Sequence, residues 1–503
     1  MLSVTDPISV DPCPAPFNLA RHVLGAVEAR PDHIALQILR PEGAERWSYG
    51  RLEAAVRGVT SGLLSLGLVP GDRVLLRLGN GVSFPLAFLG AVTAGLVPVP
   101  TAAGLTPGEV AKLCAVIAPR LIVAAEGVAL PDAPPCPVLA DADLRRFEGL
   151  APADWVMGDP ERLGYIVFTS GTSGMPRAVA HAHRAVWARR MMAEDWIGIR
   201  AEDRLLHAGA LNWTYTLGAG LFDPWAAGAT AMVAAEGVGP DQLPLLAKRF
   251  DATIFAAVPG VYRRILAQHP VLSLPRLRHG LSAGEKLPLS IRDAWRAATG
   301  TDLHEAMGMS ECSTFLSSSP GRPAPDGATG YPQRGRRVAV LGAEGAPVPR
   351  GDHGILAVHR SDPGLFLGTV EGETIRAPEG DWFQTGDMVV MAEDGAITSL
   401  GRADDMINAG GFRVSPVEIE AAMATHPGVT ASAAVELPVK ADASVIALFY
   451  AGTATEEDLA AHAGTCLARY KQPRLYLRRA AIPVTANGKI NRRTLREEWK
   501  ASQ

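Results

Sequence analysis

Tyr165 to Val179 read YIVFTSGTSGMPRAV, and this stretch says more about the chain than any other. A short apolar run, Tyr165 to Phe168, feeds a loop of hydroxyls and glycines: Thr169, Ser170, Gly171, Thr172, Ser173 and Gly174. Pro176 and the cation Arg177 follow. Glycines let successive backbone N–H groups converge on one concavity, and hydroxyls and a guanidinium add donors. Such a loop suits a polyphosphate. It is not the common P-loop, because no Gly-Lys-Ser/Thr opens a helix after it. The competing reading is a polar surface turn between two strands. The buried-looking strand before the loop and the Pro-Arg pair after it favour phosphate.

Outward from this loop, the chain has the texture of an α/β protein. Its 503 residues correspond to roughly three domain-sized units. With 48% hydrophobic and 20% charged residues it has the composition of a globular, soluble chain. A formal net charge of -4 provides no global attraction to nucleic acid or anionic membrane. Five scattered cysteines (Cys13, Cys114, Cys136, Cys312, Cys466) lack metal-site spacing and point to reduced thiols in a cytoplasmic protein. The opening MLSVTDPISVDP has neither the basic nor the apolar region of a signal peptide. The uncharged run from Asn80 to Gly108 is interrupted by Pro85, Pro98 and Pro100, which predicts a buried helix and strand rather than a membrane span.

Helical and strand patterns alternate over the first 130 residues and again from Pro240 to Thr301, predicting parallel sheets with helices on both faces. Ser48 is placed to cap a helix that ends at Gly67, and Thr106-Pro107-Gly108-Glu109 has the form of a capping box. From Gly327 to Leu400 dense Gly and Pro with short alternating runs predict an antiparallel β unit. The remainder reads as a small α+β domain, with a second capping box at Ser415 to Glu418. The predicted division is 1–400 and 401–503.

Four further segments resist a purely structural account: SAGEKLP (Ser282 to Pro288), HEAMGMSECST (His304 to Thr314), GDWFQTGDM (Gly380 to Met388), where Asp387 follows a Thr-Gly turn, and GRADDMINAGGFRVSPVEIE (Gly401 to Glu420). Near the C-terminus PVTANGKINRRTLR places Lys489 after a glycine. Together with the loop they resemble the acyl-adenylate-forming superfamily, which holds acyl-CoA synthetases, carrier-loading adenylation domains and beetle luciferases. The family loop T-S-G-T-S/T-G-x-P-K/R-G matches from Thr169 to Arg177, with Ala178 in place of the last glycine. Its Y/F-G-x-S/T-E motif matches Gly308 to Glu311, with Met307 replacing the aromatic residue. T-G-D matches Thr385 to Asp387, G-R-x-D-D matches Gly401 to Asp405, and the terminal G-K matches Gly488 and Lys489.

The resemblance implies a large adenylation domain, a small mobile C-terminal domain and a reaction in two halves. A carboxylate first attacks the α-phosphorus of ATP to give acyl-AMP; a thiol, of coenzyme A or of a carrier protein, then displaces AMP. It implies that Thr169 to Gly174 and Arg177 hold the β- and γ-phosphates and that Glu311 helps to hold Mg²⁺. Gly284, Glu285 and Lys286, with Glu305, Ala306 and Met307, line the adenine site, followed by Gly308, Met309 and Ser310. Asp387 takes the ribose hydroxyls with support from Arg402, and Lys489 bridges the attacking carboxylate and the α-phosphate. Thr169, Glu311 and Lys489 thus form the implied catalytic set. Asp404 matches the hinge, and Gly410 and Gly411 the thiol-channel loop. Asn408 departs from a lysine common in the family.

For the acid, the implied pocket comprises Asn212, Trp213, Ala283, Gly308 and Met309. LNWTYTLGAGLFDPWAAGA (Leu211 to Ala229), with its Asp223-Pro224-Trp225, resembles medium-chain and benzoate-type acyl-CoA synthetases. Glycine at 308, where acetate-specific relatives carry a tryptophan nearby, implies room for an aromatic or a short-branched to medium-chain acid. A carrier-loading enzyme and a non-catalytic nucleotide-binding regulator are the alternatives, and both a monomer and a homodimer are compatible with the chain. Cys312 reads as a packed thiol, and His181 and His183 as packing residues rather than metal ligands.

Overall fold

The computed structural model describes residues 1–5, 10–169, 176–409, 412–440, 443–485 and 490–502. Its local elements follow from capping and apolar spacing. Helix Tyr49–Ser65 starts where the Ser48 hydroxyl accepts the Arg51 N–H at 3.3 Å. Leu52, Val56, Val59 and Leu63 recur on one face and are fully buried, and the chain departs through Gly67 at φ +81. The box at Thr106 is reciprocal: the Thr106 N–H donates to the Glu109 carboxylate at 2.8 Å, and the Thr106 hydroxyl accepts from the Glu109 N–H at 3.4 Å. The second box forms only half. Ser415 caps helix Pro416–Met423, but the Glu418 carboxylate turns away to pair with Lys471.

The central sheet has nine strands. Its middle is parallel, running from Leu303–Met309 through His279–Ala283, Ile254–Ala257, Arg204–His207 and Thr230–Ala234 to Ile34–Leu39. Antiparallel strands close both edges: Ala44–Ser48 on one side, Ser313–Ser317 and Tyr331–Pro332 on the other. A smaller, wholly parallel sheet joins Val97–Pro100, Arg73–Arg77, Leu121–Ala124 and Val138–Ala140. Helix Ser83–Thr93 is buried along its whole length, and among the described residues no helix is long and apolar enough to cross a membrane.

The β unit expected between Gly327 and Leu400 is distributed. Val338–Leu341, His353–His359, Trp382–Met391 and Ile397–Arg402 make a four-stranded antiparallel sheet. Gly368–Glu371 leaves it to pair with Arg177–Ala182, the strand returning from the phosphate loop. Beyond Arg402 a three-stranded sheet (Val429–Lys440, Ala443–Gly452, Leu475–Arg478) forms the small domain. Helices Pro416–Met423 and Glu456–Cys466 cover one face through Ile419, Met423 and Leu459, and helix Arg492–Ala501 covers the other through Leu495.

Candidate active site

The glycine- and hydroxyl-rich segment lies between two antiparallel strands, Leu163–Thr169 and Arg177–Ala182, with Thr169 directly opposite Arg177. Ser170, Gly171, Thr172, Ser173 and Gly174 lie outside the described residues. The Arg177 guanidinium stands 3.4 Å from the Thr369 hydroxyl of the neighbouring strand. Two residues of this hairpin reach further. The Tyr165 ring stacks on His181 at 4.8 Å, and the His181 Nε2–H donates to the Ser310 carbonyl at 2.8 Å. Burial lowers the His181 pKa to about 4, so the ring is neutral and holds the turn that carries Glu311. The sequence reading gave His181 only a packing role.

That turn connects Leu303–Met309 to the antiparallel Ser313–Ser317. The Glu311 carbonyl accepts the Phe366 N–H at 2.7 Å, and its side chain lines the cleft. Cys312, fully buried, has its thiol pKa pushed up by burial, which matches a packed thiol. Gly308 has a reason other than pocket space: a Cβ there would stand 2.3 Å from the Ser313 carbonyl oxygen and 2.6 Å from the Thr314 Cα. The close approach of the neighbouring strand demands the glycine, so the room inferred from it must come from elsewhere. Ala306 borders the cleft, and Ala283, its cross-strand partner, is buried in the core beside it.

Trp213 packs against the apolar cluster that holds both alanines. Gly284 adopts φ +98, and a Cβ on it would come within 3.0 Å of the Trp213 indole, so the Gly284 turn and the tryptophan are in contact. Tyr215 meets the same indole edge-on at 5.3 Å. Asn212 and Met309 border the same space. Lys286 and Glu305 are engaged with each other. The ammonium lies 3.2 Å from Glu305 Oε2 and also donates to the Gly327 carbonyl and the Thr329 hydroxyl, while Glu305 Oε1 accepts the Leu287 N–H at 3.1 Å. Burial raises the Glu305 pKa, and Lys286 opposes it. This pair fixes the turn from Gly284 to Pro288.

Asp387 does not follow a turn. Thr385, Gly386 and Asp387 form an irregularity within the continuous strand Trp382–Met391. Gly386 sits at φ +78, and a Cβ there would collide with the Arg402 guanidinium. Arg402 lies opposite Asp387, 3.6 Å from its carboxylate, and donates to the Thr385 carbonyl at 2.7 Å.

Lys489 lies outside the described residues, as do Gly410 and Gly411. The chain on either side of Lys489 is pinned: Val484 bridges Ile490, and the Asn491 N–H donates to the Pro483 carbonyl at 2.8 Å. Ile490 and Arg492 line the same cleft as Thr169, Glu311, Trp213 and Asp387. That cleft, of about 1680 Å³, runs between the two domains along the carboxyl ends of the parallel strands, where open α/β sheets bind ligands.

A large cleft at the carboxyl ends of the parallel strands, bordered by Thr169 and Arg177 on one side and by small-domain residues on the other, marks a ligand-binding α/β architecture. The chain belongs to the AMP-binding enzyme family. The family's main domain, the AMP-binding enzyme, matches residues 25–368, and the AMP-binding enzyme C-terminal domain matches residues 418–489. Among its relatives, the benzoate–CoA ligase of Thauera aromatica is 30% identical over 481 residues, covering 90% of this chain and 91% of that protein. The 3-hydroxybenzoate–CoA ligase of Aromatoleum sp. (strain CIB) is 31% identical over 496 residues, covering 92% and 93%. Among solved structures, the anthranilate CoA ligase AuaEII in complex with anthranoyl-AMP superposes with a TM-score of 0.88 at 25% identity, covering 98% of this chain and 99% of that one. The benzoate CoA ligase from Burkholderia xenovorans LB400 superposes at 0.83 with 28% identity, covering 95% and 100%.

Proposed function

We propose that this chain is an ATP-dependent, AMP-forming acid–CoA ligase and that its acid is aromatic. The observation that carries this reading is convergence. Thr169 and Arg177, the Glu311 turn, Asp387 and the segment just after Lys489 all border one cleft although they lie far apart in sequence. The names of the benzoate-type relatives, similar over nine-tenths of the chain, support the acid class. So does the lining of the cleft beside Trp213, where Ala306, Met307 and Met309 offer an apolar surface that suits a ring.

A carboxylate is a poor electrophile, and it must approach a polyanion. In the first half, a carboxylate oxygen bonds to the α-phosphorus as the bond to the β-phosphate oxygen breaks and pyrophosphate leaves. In the second, the thiolate sulfur bonds to the acyl carbon as the bond to the AMP oxygen breaks. Thr169, with Ser170 to Gly174, and Arg177 hold the leaving phosphates; Asp387, braced by Arg402, accepts from the ribose; Lys489 neutralises charge between carboxylate and α-phosphate. Glu311 and Thr169 present hard oxygen donors to the same cleft, a set that fits Mg²⁺. Bound there, the ion would neutralise triphosphate charge. Rotation at Asp404 then withdraws Lys489 and brings Gly410 and Gly411 to the acyl-adenylate. All five cysteines are free, which suits the reducing cytoplasm.

The test is acid-dependent exchange of pyrophosphate into ATP across benzoate, hydroxybenzoates, aminobenzoate and medium-chain acids, followed by a thioester assay with CoA. Aromatic acids are expected to drive exchange best, and CoA to yield the thioester. Exchange without thioester would redirect the reading to a carrier-protein thiol. Absence of exchange with every acid would overturn it.

A further inference from the structure

Asn80 lies in the turn after strand Arg73–Arg77 of the smaller parallel sheet, away from every motif above. Its side chain crosses to the central sheet and is used at both ends. The amide nitrogen donates to the Gly209 carbonyl at 3.1 Å and to the Ala234 carbonyl at 3.1 Å. The amide oxygen accepts the Leu211 N–H at 2.9 Å. This pattern fixes the orientation of the amide: only its NH₂ end can face two carbonyls, and only its oxygen can face an N–H. The backbone of the same turn is held as well, with the Asn80 N–H 3.4 Å from the Glu236 carboxylate. Gly79 lets that carboxylate approach closely, since a Cβ there would stand 2.0 Å from it and push it aside.

The gripped residues flank Ala210, whose carbonyl accepts the Trp213 N–H at 3.0 Å. The Trp213 carbonyl in turn accepts the Leu217 N–H at 2.8 Å and starts the helical segment behind the pocket. One amide therefore clamps both sides of the turn that aims the indole at Gly284. Resting on the reading of Trp213 as a wall of the acid pocket, we propose that Asn80 is the positioning residue for Trp213 and thereby sets affinity and selectivity for the acid without touching it.

Two variants and two readouts test this. Asn80→Ala removes all three side-chain bonds. Asn80→Asp keeps the shape and the acceptor for Leu211 but turns an oxygen toward two carbonyls. In pyrophosphate exchange, both are expected to raise KM for the aromatic acid at least tenfold, to leave KM for ATP within twofold, and to narrow the difference between ring-substituted and unsubstituted acids. Independently of any substrate, protein labelled with 5-fluorotryptophan, with the Trp213 signal assigned by its loss in Trp213→Phe, is expected to show that resonance shifted or broadened in both variants. An unchanged acid KM, or an equal rise in both KM values, overturns the proposal while leaving the ligase reading intact. Should the unmodified enzyme exchange with no acid, the ligase reading fails, and the fluorine signal alone decides: an unmoved Trp213 resonance in Asn80→Ala then overturns the positioning role.

Discussion

Arg492 holds both carboxylate oxygens of Glu420, at 2.6 and 2.7 Å. The carboxylate also accepts the Ala434 N–H at 2.8 Å, so Glu420 ties helix Pro416–Met423 to the small-domain sheet and to the helix that follows Lys489. Burial raises the Glu420 pKa, and Arg492 opposes that rise. The clamp anchors the start of helix Arg492–Ala501 to the body of the small domain.

Arg492→Leu is therefore expected to strand a buried carboxylate and to destabilise the small domain by about 3–5 kcal/mol. Urea unfolding would measure this. Adenylation should fall more than thioester formation from supplied acyl-AMP, because only the first half needs Lys489 in register.

Lys489→Ala should lower pyrophosphate exchange by about 10²–10³-fold, the usual loss when one transition-state electrostatic contact is removed. Thioester formation from supplied acyl-AMP should persist. Equal loss in both halves would refute the division of labour between lysine and glycine loop.

Arg189 and Asp223 form a buried two-point pair at 2.6 and 2.7 Å, and Gly218 packs on the guanidinium face. Asp223→Ala leaves that cation unpaired. A loss of about 3–5 kcal/mol in denaturant unfolding is expected. A variant as stable as the parent would show that the pair contributes little.

Acid selectivity should respond to the alanine surface. Ala306→Leu is expected to raise KM for ring acids by tenfold or more while leaving KM for ATP near its parent value, because overpacking here fills ring space. Steady-state kinetics with two acids of different bulk would check it.

The buried histidines predict sensitivity to acid. Burial lowers His181 to about 4 and His207 to about 3. Each remains neutral in the folded chain while the unfolded chain takes up a proton near pH 6.5. Stability is thus fully present above that pH and is lost as pH falls toward the folded values, by roughly 3 kcal/mol for His181 and roughly 5 kcal/mol for His207. Melting temperatures measured from pH 7.5 to 4.5 should fall through this window, and less steeply in His181→Gln.

Much of this was legible in the sequence where the chemistry is local. The hairpin motif, the capping residues Ser48 and Thr106 and the helix-ending Gly67 each act on residues within a few positions. Long-range partners carried no such signal. Gly368–Glu371 pairs with Arg177–Ala182 across nearly two hundred residues, and nothing in either segment names the other. Gly386 read as a turn, but its positive φ serves an irregularity in an unbroken strand under Arg402. Gly308 read as empty pocket, but its missing side chain makes way for the backbone of Ser313. Asn80 stood out by no pattern, since one amide reaching another sheet has no periodicity.

The junction after Arg402 has its own consequence. The Ala403 N–H is held by the Gly386 carbonyl at 2.9 Å, on the large side, while the Asp405 carboxylate is held by Arg496 at 2.9 Å, on the small side. Asp404, its side chain 68% exposed and 3.5 Å from the Arg402 guanidinium, stands between these two grips. The molecule is thus built as a crank with one journal. On the proposed ligase reading, turning at this joint would let activation and transfer alternate at one address instead of competing for it.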